Sequence, residues 1–369
     1  MPLKAPSPYP TRLTKLRAKL HKESLGHLLV TNPLDVAYLT GFDGGDSYLL
    51  IGPKSCTIIS DFRYQEELEP IKPLASIIIR KGPMTAEVAS VFKAENITTC
   101  GIQAETMTLA ERDATAKSLG KRGEKQLIST TGLVMSMRAI KDESEVALIK
   151  AAAKIQEQAL LAVLPTLRPG MTELAIAAAI EAEMKTRGSS APGFQTIVAA
   201  QPNGSLPHYR PGKARIAANK TVLIDWGAIY HGYHSDMTRV FALGKWPAKI
   251  AEIYQITLDA QETAAAALAP GRTTREIDAL ARDYITGAGY GEFFGHGLGH
   301  GLGFNGHEEP RLSHMLGETT LEVGQVVTVE PGIYLPGVGG VRIEDDYVIT
   351  EKGAKNLCTM RKDMEWATL

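Results

Sequence analysis

The first 135 residues alternate short apolar runs with helical stretches. Runs rich in β-branched residues and bounded by Gly, Pro, Asn or Asp predict strands, and apolar residues three and four positions apart predict helices. The strand-like runs lie in LGHLLVTNP, YLLIGPKSCTIISDFRY, ASIIIRKG and TTCGIQAE, and the helical ones in TRLTKLRAKLHK and ETMTLAERDATAKSLG. This alternation predicts an α/β domain over residues 1–135.

A long helical pattern opens a second region, in MRAIKDESEVALIKAAAKIQEQALLAVLPTL, with Asp142 or Ser144 as its candidate N-cap. Because a single core rarely grows beyond about 250–300 residues, a chain of 369 residues indicates a second domain, which we place at 136–369. Its further helices are predicted in TELAIAAAIEAEMKTRG, AKIAEIYQITLDAQETAAAALA and TTREIDALARDYITGAG, and its strands in TVLIDWGAIY, SDMTRVFAL, QVVTVEPGIY and VRIEDDYVIT.

Composition and charge exclude several classes of protein. The 40 Lys and Arg against 41 Asp and Glu give a formal charge of −1, without the basic surplus of a nucleic-acid-binding protein. The three cysteines, Cys56, Cys100 and Cys358, lie too far apart for a disulfide framework or a thiolate zinc site. The sequence has no apolar run of the length of a membrane span. These features predict a cytoplasmic protein without nucleic-acid or membrane partners.

Two carboxylates are predicted to share one face of a hairpin. In TVLIDWGAIYHGYHSDMTRV, strand-like runs flank His231-Gly232, and a glycine at the second position suits a two-residue type I′ turn. This register sets Asp236 opposite Gly227, and the two-residue period of a strand puts Asp225 on the same face, diagonally adjacent to Asp236.

A second pair of carboxylates follows the same logic. A loop centred near Gly337 sets Glu330 of VTVEPG roughly opposite Glu344 of VRIEDD. Arg342 lies two residues before Glu344 and therefore shares its face.

Four acids on sheet faces in an apolar context need a positive charge between them. Each one taken singly is better explained as a turn cap or a surface carboxylate. Together with the histidine- and glycine-rich segment GHGLGHGLGFNGHEEPR, residues 295–311, they predict a metal site instead. Oxygen-rich ligands with one imidazole suit Mn, Co, Fe or Zn, and four carboxylates can neutralise two divalent ions about 3.5–4 Å apart.

The glycines in that segment allow two interpretations. Gly301, Gly303 and Gly306 spell GxGxxG, the dinucleotide fingerprint, but that motif must open a helix, and Pro310 in the following HEEPRLSH argues against one. We favour the other interpretation, in which glycines let a closely approached backbone bring the histidines into one pocket.

These residues resemble the metallopeptidases of pita-bread fold: prolidase, aminopeptidase P and methionine aminopeptidase. The resemblance rests on the ordered ligand set, on HGLGHGLGFNGHEEP and on RIED, while VTNPLDVAYLTGF and SDFRY resemble the creatinase-type N-terminal domain of the proline-specific members. It implies an α/β creatinase-type N-terminal domain, an α+β pita-bread catalytic domain and a homodimer.

The resemblance also implies two divalent ions, with manganese favoured, and a role for each site residue. The implied metal ligands are Asp225 for one ion, His300 and Glu330 for the other, and Asp236 and Glu344 as bridges between them. The implied catalytic residues are Glu330 as general base, His208, His296 and His307 at the scissile carbonyl and the tetrahedral intermediate, and Arg342 as support of the carboxylates.

The expected substrate is a peptide with proline at its second position. Methionine aminopeptidases usually lack the creatinase-type domain, the histidine at the position of His296 and the arginine of RIED. Arg311 could bind the free carboxylate of a dipeptide, which favours an Xaa-Pro dipeptidase over an Xaa-Pro aminopeptidase acting on longer peptides. The same segment occurs in both subgroups, and a structural salt bridge is the alternative role for Arg311.

Two classes outside the peptidases remain as alternatives. A creatinase-like enzyme uses this fold without metal, and a non-catalytic binding module built on it would have lost ligands and would often carry charged tails. All five ligand positions stand in this sequence, which argues against both.

Overall fold

The computed structural model describes residues 7–369. They divide into two compact units, of which unit 1 ends at Arg138 and unit 2 is Ala139–Leu369. The boundary predicted after residue 135 stays a prediction. Within residues 7–369 no helix is both long and apolar enough to cross a membrane.

Unit 1 is built around one mixed sheet. Among its described residues the strand order is β4-β3-β2-β1-β5-β6, in which β1 pairs antiparallel with β2 and parallel with β5. The strands are β1 (Leu28–Val30), β2 (Tyr48–Ile51), β3 (Cys56–Ser60), β4 (Ser76–Ile79), β5 (Cys100–Gln103) and β6 (Leu127–Thr130). The helices are α1 (Tyr9–Lys22), α2 (Pro33–Thr40), α3 (Met84–Ala94), α4 (Leu109–Leu119), α5 (Gly123–Gln126) and α6 (Met135–Arg138).

Local signals explain where these helices begin. The Asn32 side chain accepts the N–H of Leu34 at the start of α2, and Thr108 forms a capping box with Glu111 at the start of α4. Apolar side chains from β1, β2, β3 and α3 form the core, with Leu29, Leu50 and Val88 fully buried. The α/β domain expected from the alternating pattern is confirmed.

Unit 2 carries longer helices. They are α7 (Glu143–Val163), α8 (Glu173–Thr186), α9 (Ala248–Ala266) and α10 (Thr274–Gly287). Of the two predicted N-caps, Asp142 is the one that caps α7, because its side chain accepts the N–H groups of Ser144 and Glu145 and the Glu145 side chain completes the capping box.

Several small sheets face these helices. The strands are β7 (Ile197–Ala200), β8 (Thr221–Trp226), β9 (Ile229–Tyr230), β10 (Tyr233–His234), β11 (Met237–Ala242), β12 (Gly299–Gly301), β13 (Glu308–Leu312), β14 (Val326–Val329), β15 (Gly332–Leu335), β16 (Gly339–Arg342), β17 (Asp345–Thr350) and β18 (Gly353–Asn356). They form the sheets β11-β8-β7, β13-β12-β14-β17-β18, β9-β10 and β15-β16. One large apolar cluster, with Trp226, Phe241 and Tyr254 fully buried, packs the helices against the sheets.

Candidate metal centre

A cavity of about 520 Å³ lies in unit 2, where the ends of several strands meet. Its walls contain every side chain that the sequence predicted for the site. They are the five predicted ligands Asp225, Asp236, His300, Glu330 and Glu344, and the predicted supporting residues His208, His296, His307, Arg311 and Arg342.

The first pair of carboxylates sits on the predicted hairpin. β9 and β10 pair across His231-Gly232, both with positive φ, and the same register continues in the ladder of β8 and β11, where Asp225 faces Thr238. Asp236 is therefore opposite Gly227 and diagonal to Asp225, as predicted. A Cβ on Gly227 would lie 2.1 Å from the carbonyl oxygen of Ser235, so glycine is required at this close approach.

The second pair lies on a longer hairpin that bends between two ladders. β15 pairs with β16 around a turn at Gly337, and β14 pairs with β17 in the same register. Glu330 and Glu344 occupy the position between the two ladders, opposite each other, as predicted. The Thr238 hydroxyl donates to Glu344 Oε2 at 2.6 Å, which ties the second pair to β11 of the first hairpin.

His300 completes a set of ligand atoms. Its Nδ1 lies 3.0 Å from the carbonyl oxygen of Gly301, so this nitrogen carries the proton and Nε2 presents its lone pair to the carboxylates. His300 Nε2 is 3.3 Å from Glu330 Oε1 and 3.8 Å from Asp236 Oδ2. One ligand atom each from Asp236, His300 and Glu344 lie within 4.8 Å of one another.

The charges at this site are not balanced by the protein. Burial, followed by repulsion from Glu330 and Asp225, raises the pKa of Glu344 well above its ordinary value, and burial followed by repulsion from Glu344 does the same for Asp236. Burial also raises the pKa of Glu330 to about 7 and lowers the pKa of His300 to about 3. The imidazole is thus neutral, as a metal ligand must be.

An unpartnered atom points to the same conclusion. Asp225 Oδ2 accepts from Arg342 Nη2 at 2.5 Å, but no group of residues 7–369 hydrogen-bonds to the buried Oδ1. A buried, ionised oxygen without a partner is costly. Four mutually repelling carboxylates, one neutral imidazole and one orphaned carboxylate oxygen together fit divalent cations with oxygen-rich ligands.

Arg342 and a tyrosine form the support of this carboxylate cluster. Arg342 Nε donates to the Thr238 hydroxyl at 3.0 Å and Nη1 donates to the Tyr334 hydroxyl at 2.9 Å. The same hydroxyl lies 2.9 Å from His296 Nε2. Burial lowers the pKa of His296 to about 4, so its ring is neutral near pH 7. Tyr334 and Thr238 were not predicted from the sequence. The pairing of β15 with β16 puts Arg342 opposite Gly332 and so brings Tyr334, two residues further along β15, near Arg342.

The remaining predicted residues line the cavity beside the ligand set. The ring of His307 stacks on that of His300, with centroids 4.0 Å apart and planes at 27°. His208 is exposed at the cavity, and Arg311 pairs with His300 across the ladder of β12 and β13. The Arg311 guanidinium has one weak ionic contact, 4.0 Å from Nε to Glu309 Oε1, so it can still bind an anion.

The histidine- and glycine-rich segment forms two strands and not the helix of a dinucleotide site. β12 and β13 pair with a register shift after His300. A Cβ on Gly299 would lie 2.1 Å from the carbonyl oxygen of Thr328, and one on Gly301 would lie 2.2 Å from that of Glu309. The glycines therefore permit a close approach of three strands around the predicted metal ligand His300, as expected from the sequence.

Known proteins match this chain along nearly all of its length. Residues 147–351 match metallopeptidase family M24, and residues 12–140 match the creatinase/prolidase N-terminal domain. The chain is 35% identical over 355 residues to the Xaa-Pro dipeptidase of Pyrococcus furiosus, which covers 96% of this chain and 99% of that protein.

Solved structures give the same result. An Xaa-Pro dipeptidase from Bacillus anthracis is similar with a TM-score of 0.93 at 37% identity, covering 98% of this chain and 100% of that one. An X-Pro aminopeptidase from Thermotoga maritima is similar with a TM-score of 0.88 at 33% identity, covering 97% of this chain and 99% of that one.

Proposed function

The chain belongs to metallopeptidase family M24, and we propose that it is an Xaa-Pro dipeptidase, which hydrolyses the peptide bond before proline in dipeptides. Membership of this family implies divalent metal ions, and the buried group of Asp236, His300 and Glu344 suits them. The single observation that carries the preference for dipeptides is the position of Arg311 on the wall of the cavity that contains the ligands.

In this proposal two ions would be held by the five predicted ligands Asp225, Asp236, His300, Glu330 and Glu344. When bound, the ions polarise the scissile carbonyl and make water a usable nucleophile near neutral pH. Arg342 holds Asp225 in place through its 2.5 Å contact, and Thr238 holds Glu344.

Proton transfer is assigned to Glu330. Its carboxylate lies beside His300 at the cavity, and its pKa of about 7 before cations are bound shows how strongly its buried surroundings favour the protonated form. A carboxylate in such surroundings can accept a proton during bond cleavage and return it to the leaving proline nitrogen.

The three other histidines act on the substrate. His296 is neutral, with Nδ1 at 2.7 Å from the Gly297 carbonyl oxygen and Nε2 at 2.9 Å from the Tyr334 hydroxyl. Donation to a developing negative oxygen, the role assigned to it, would replace one of these two contacts. His208 and His307 line the same cavity and are assigned to the scissile carbonyl.

Arg311 provides the selection of substrate length. A dipeptide ends in a carboxylate directly on its proline, and a guanidinium can bind a carboxylate through two hydrogen bonds. A tripeptide has an amide at that place and gains less from the same arginine.

The test is hydrolysis of Ala-Pro beside Ala-Pro-Ala by chelator-stripped protein with Mn²⁺ restored. We expect cleavage of Ala-Pro to depend on the metal and to exceed that of Ala-Pro-Ala. Arg311→Ala should lower kcat/KM for Ala-Pro by about 100-fold, the order of a lost charge-assisted contact of 2–3 kcal/mol. Arg168→Ala, which removes an exposed arginine elsewhere in unit 2, is the control and should change nothing.

Cleavage mainly of the tripeptide would favour the alternative, an Xaa-Pro aminopeptidase, which the likeness to the Thermotoga maritima enzyme keeps open. Unchanged hydrolysis of Ala-Pro by Arg311→Ala would refute the role of Arg311.

Four finer points stay predictions. Manganese as the physiological ion and two ions per chain can be measured by metal analysis of purified protein. A homodimer can be tested by light scattering. A cytoplasmic location is in keeping with the free, buried thiols of Cys56, Cys100 and Cys358 and can be tested by cell fractionation.

A further inference from the structure

A buried ion pair lies beneath the turn that carries His307. Lys141 Nζ is 3.0 Å from Glu308 Oε2, and both side chains are only 1% exposed. The two residues are 167 positions apart in the chain, so only the fold brings them together. Taking two charges out of water costs more than a surface pair does, and well-packed apolar residues in their place are often as stable or more stable. Stability alone therefore explains this pair poorly.

Both members are connected to the backbone around them. Lys141 Nζ also donates to the carbonyl oxygen of Ala139 at 3.3 Å, and the Lys141 N–H donates to that of Gly324 at 2.8 Å. Glu308 Oε1 accepts the N–H of Asn305 at 2.9 Å, so the carboxylate binds the turn on one side and the ammonium on the other.

The turn packs directly on the pair. A Cβ on Gly303 would lie 2.6 Å from Lys141 Cε and 2.8 Å from Glu308 Oε2. Residues 303–308 are thus held against Lys141 by contact as well as by charge. Because protein interiors are closely packed, a change in this contact shifts the turn.

The position of the turn matters for the cavity. Glu308 is the first residue of β13 and pairs with Gly301, the residue after the predicted metal ligand His300. His307 directly precedes Glu308, and its ring stacks on that of His300 at the cavity. Any displacement of Glu308 is passed to His307 through one peptide unit.

We infer that the pair of Lys141 and Glu308 positions His307 for hydrolysis, by fixing the turn of residues 303–307 against Lys141. Neither Lys141 nor Glu308 is among the residues that line the cavity. Its effect on catalysis rests on the proposed function, whereas its effect on the position of His307 does not.

The decisive variant is the double substitution Lys141→Met with Glu308→Leu, which removes both charges and keeps similar volume. We expect a melting temperature equal to or above that of the wild type and unchanged metal content. We expect kcat/KM for Ala-Pro to fall by about 10- to 100-fold, mostly through kcat, because a misplacement of about 1 Å costs on the order of 100-fold. If the pair served stability alone, the double variant would keep both the melting temperature and the kcat/KM of the wild type.

A second variant tests the inference if the double variant does not fold. Glu308→Asp keeps the charge but shortens the side chain by one methylene, so the pair can persist only if the turn moves. It should lower kcat while the melting temperature changes little. Tyr254→Phe is the matched control, since it removes one partly buried hydrogen bond of unit 2, to the carbonyl oxygen of Lys362 at 2.8 Å, outside the cavity. It should leave kcat unchanged.

Wild-type kcat/KM in both the double variant and Glu308→Asp would overturn the inference. If the wild type itself cleaves neither Ala-Pro nor Ala-Pro-Ala, the proposed function fails instead, and crystal structures of the same variants decide the inference. A His307 ring displaced from that of His300 supports it, and a ring stacked as in the wild type overturns it.

Discussion

Two neighbouring acidic residues in unit 2 have pKa values shifted in opposite directions. Glu344 faces the cavity, where burial and then repulsion from Glu330 and Asp225 raise its pKa. Asp345, the next residue, faces Arg239 at 2.6 Å and Lys362 at 3.0 Å. Burial alone would raise the pKa of Asp345 too, but the two cations outweigh it and lower that pKa.

The difference separates a carboxylate whose charge is balanced within the protein from one whose charge is not. The negative charge of Asp345 is balanced within the chain, and Arg239 also donates to the carbonyl oxygens of Glu344 and Met360, which ties several strands together. The cavity contains four carboxylates, Glu344 among them, and of its three arginines Arg342 is the one that donates to a ligand carboxylate, Asp225. The raised pKa values favour protons on this cluster, and divalent cations would take their place, as at a metal centre.

The largest expected effect comes from removing one charge from the carboxylate cluster in the cavity. Asp236→Asn should lower kcat/KM for Ala-Pro by on the order of 1,000-fold, since one group of a preorganised electrostatic site is lost. In metal-free protein the same change should raise the free energy of unfolding, because it relieves repulsion among buried carboxylates. Activity assays and urea unfolding of chelator-treated protein measure both. A metal-free variant less stable than the wild type would contradict the comparison.

The next largest effect is expected at Asp345, whose charge is balanced by Arg239 and Lys362. Asp345→Asn leaves Arg239 buried and without its ionic partner, so the free energy of unfolding should fall by about 3–4 kcal/mol. Urea unfolding of the metal-free variant measures it. Asp363→Asn, which breaks the exposed contact with Arg361, is the control and should leave the free energy of unfolding nearly unchanged. Equal effects of the two substitutions would show that Asp345 is not an essential counter-charge.

The smallest effect is on the pH dependence of the free energy of unfolding. The contributions of Glu330 and Asp345 to it have opposite signs. The pKa of Glu330 in metal-free folded protein is about 7, above its ordinary value near 4.5. Its contribution to stability is therefore fully present below about pH 4.5 and is lost as the pH rises to about 7, a loss of about 3 kcal/mol. The lowered pKa of Asp345 gives a contribution that is present at neutral pH and lost in acid.

Unfolding of the metal-free wild type and of metal-free Glu330→Gln from pH 4.5 to 7 isolates the contribution of Glu330 to stability. The stability of Glu330→Gln relative to the wild type should grow as the pH rises, while that of Asp345→Asn relative to the wild type should grow as the pH falls. A constant difference between Glu330→Gln and the wild type from pH 4.5 to 7 would refute the assignment.

The sequence predicted the family, the two-domain architecture and the pairing of the two carboxylate hairpins, and all three are confirmed. The hairpins were predictable because a two-residue turn and the alternation of a strand together set the register. The roles of the site residues stay predictions, although the cavity brings all of them together. Helix α3 and the strands β7, β12, β13 and β18 are among the elements that were missed. Strand β12 was missed because glycine has low strand propensity and only close packing favours it there.

What the sequence determined by itself is local: the caps of the helices, the turns, and which carboxylates share a strand face. These depend on residues a few positions apart, so the chain carries them wherever it folds. Only the tertiary structure decided which charges are balanced. Arg239 meets Asp345 across 106 positions and Lys141 meets Glu308 across 167, while Glu344 and Asp236 are left facing other acids. The physical reason is that the free energy of a buried charge depends on the neighbours that packing brings within a few ångströms, and spacing along the chain does not specify them.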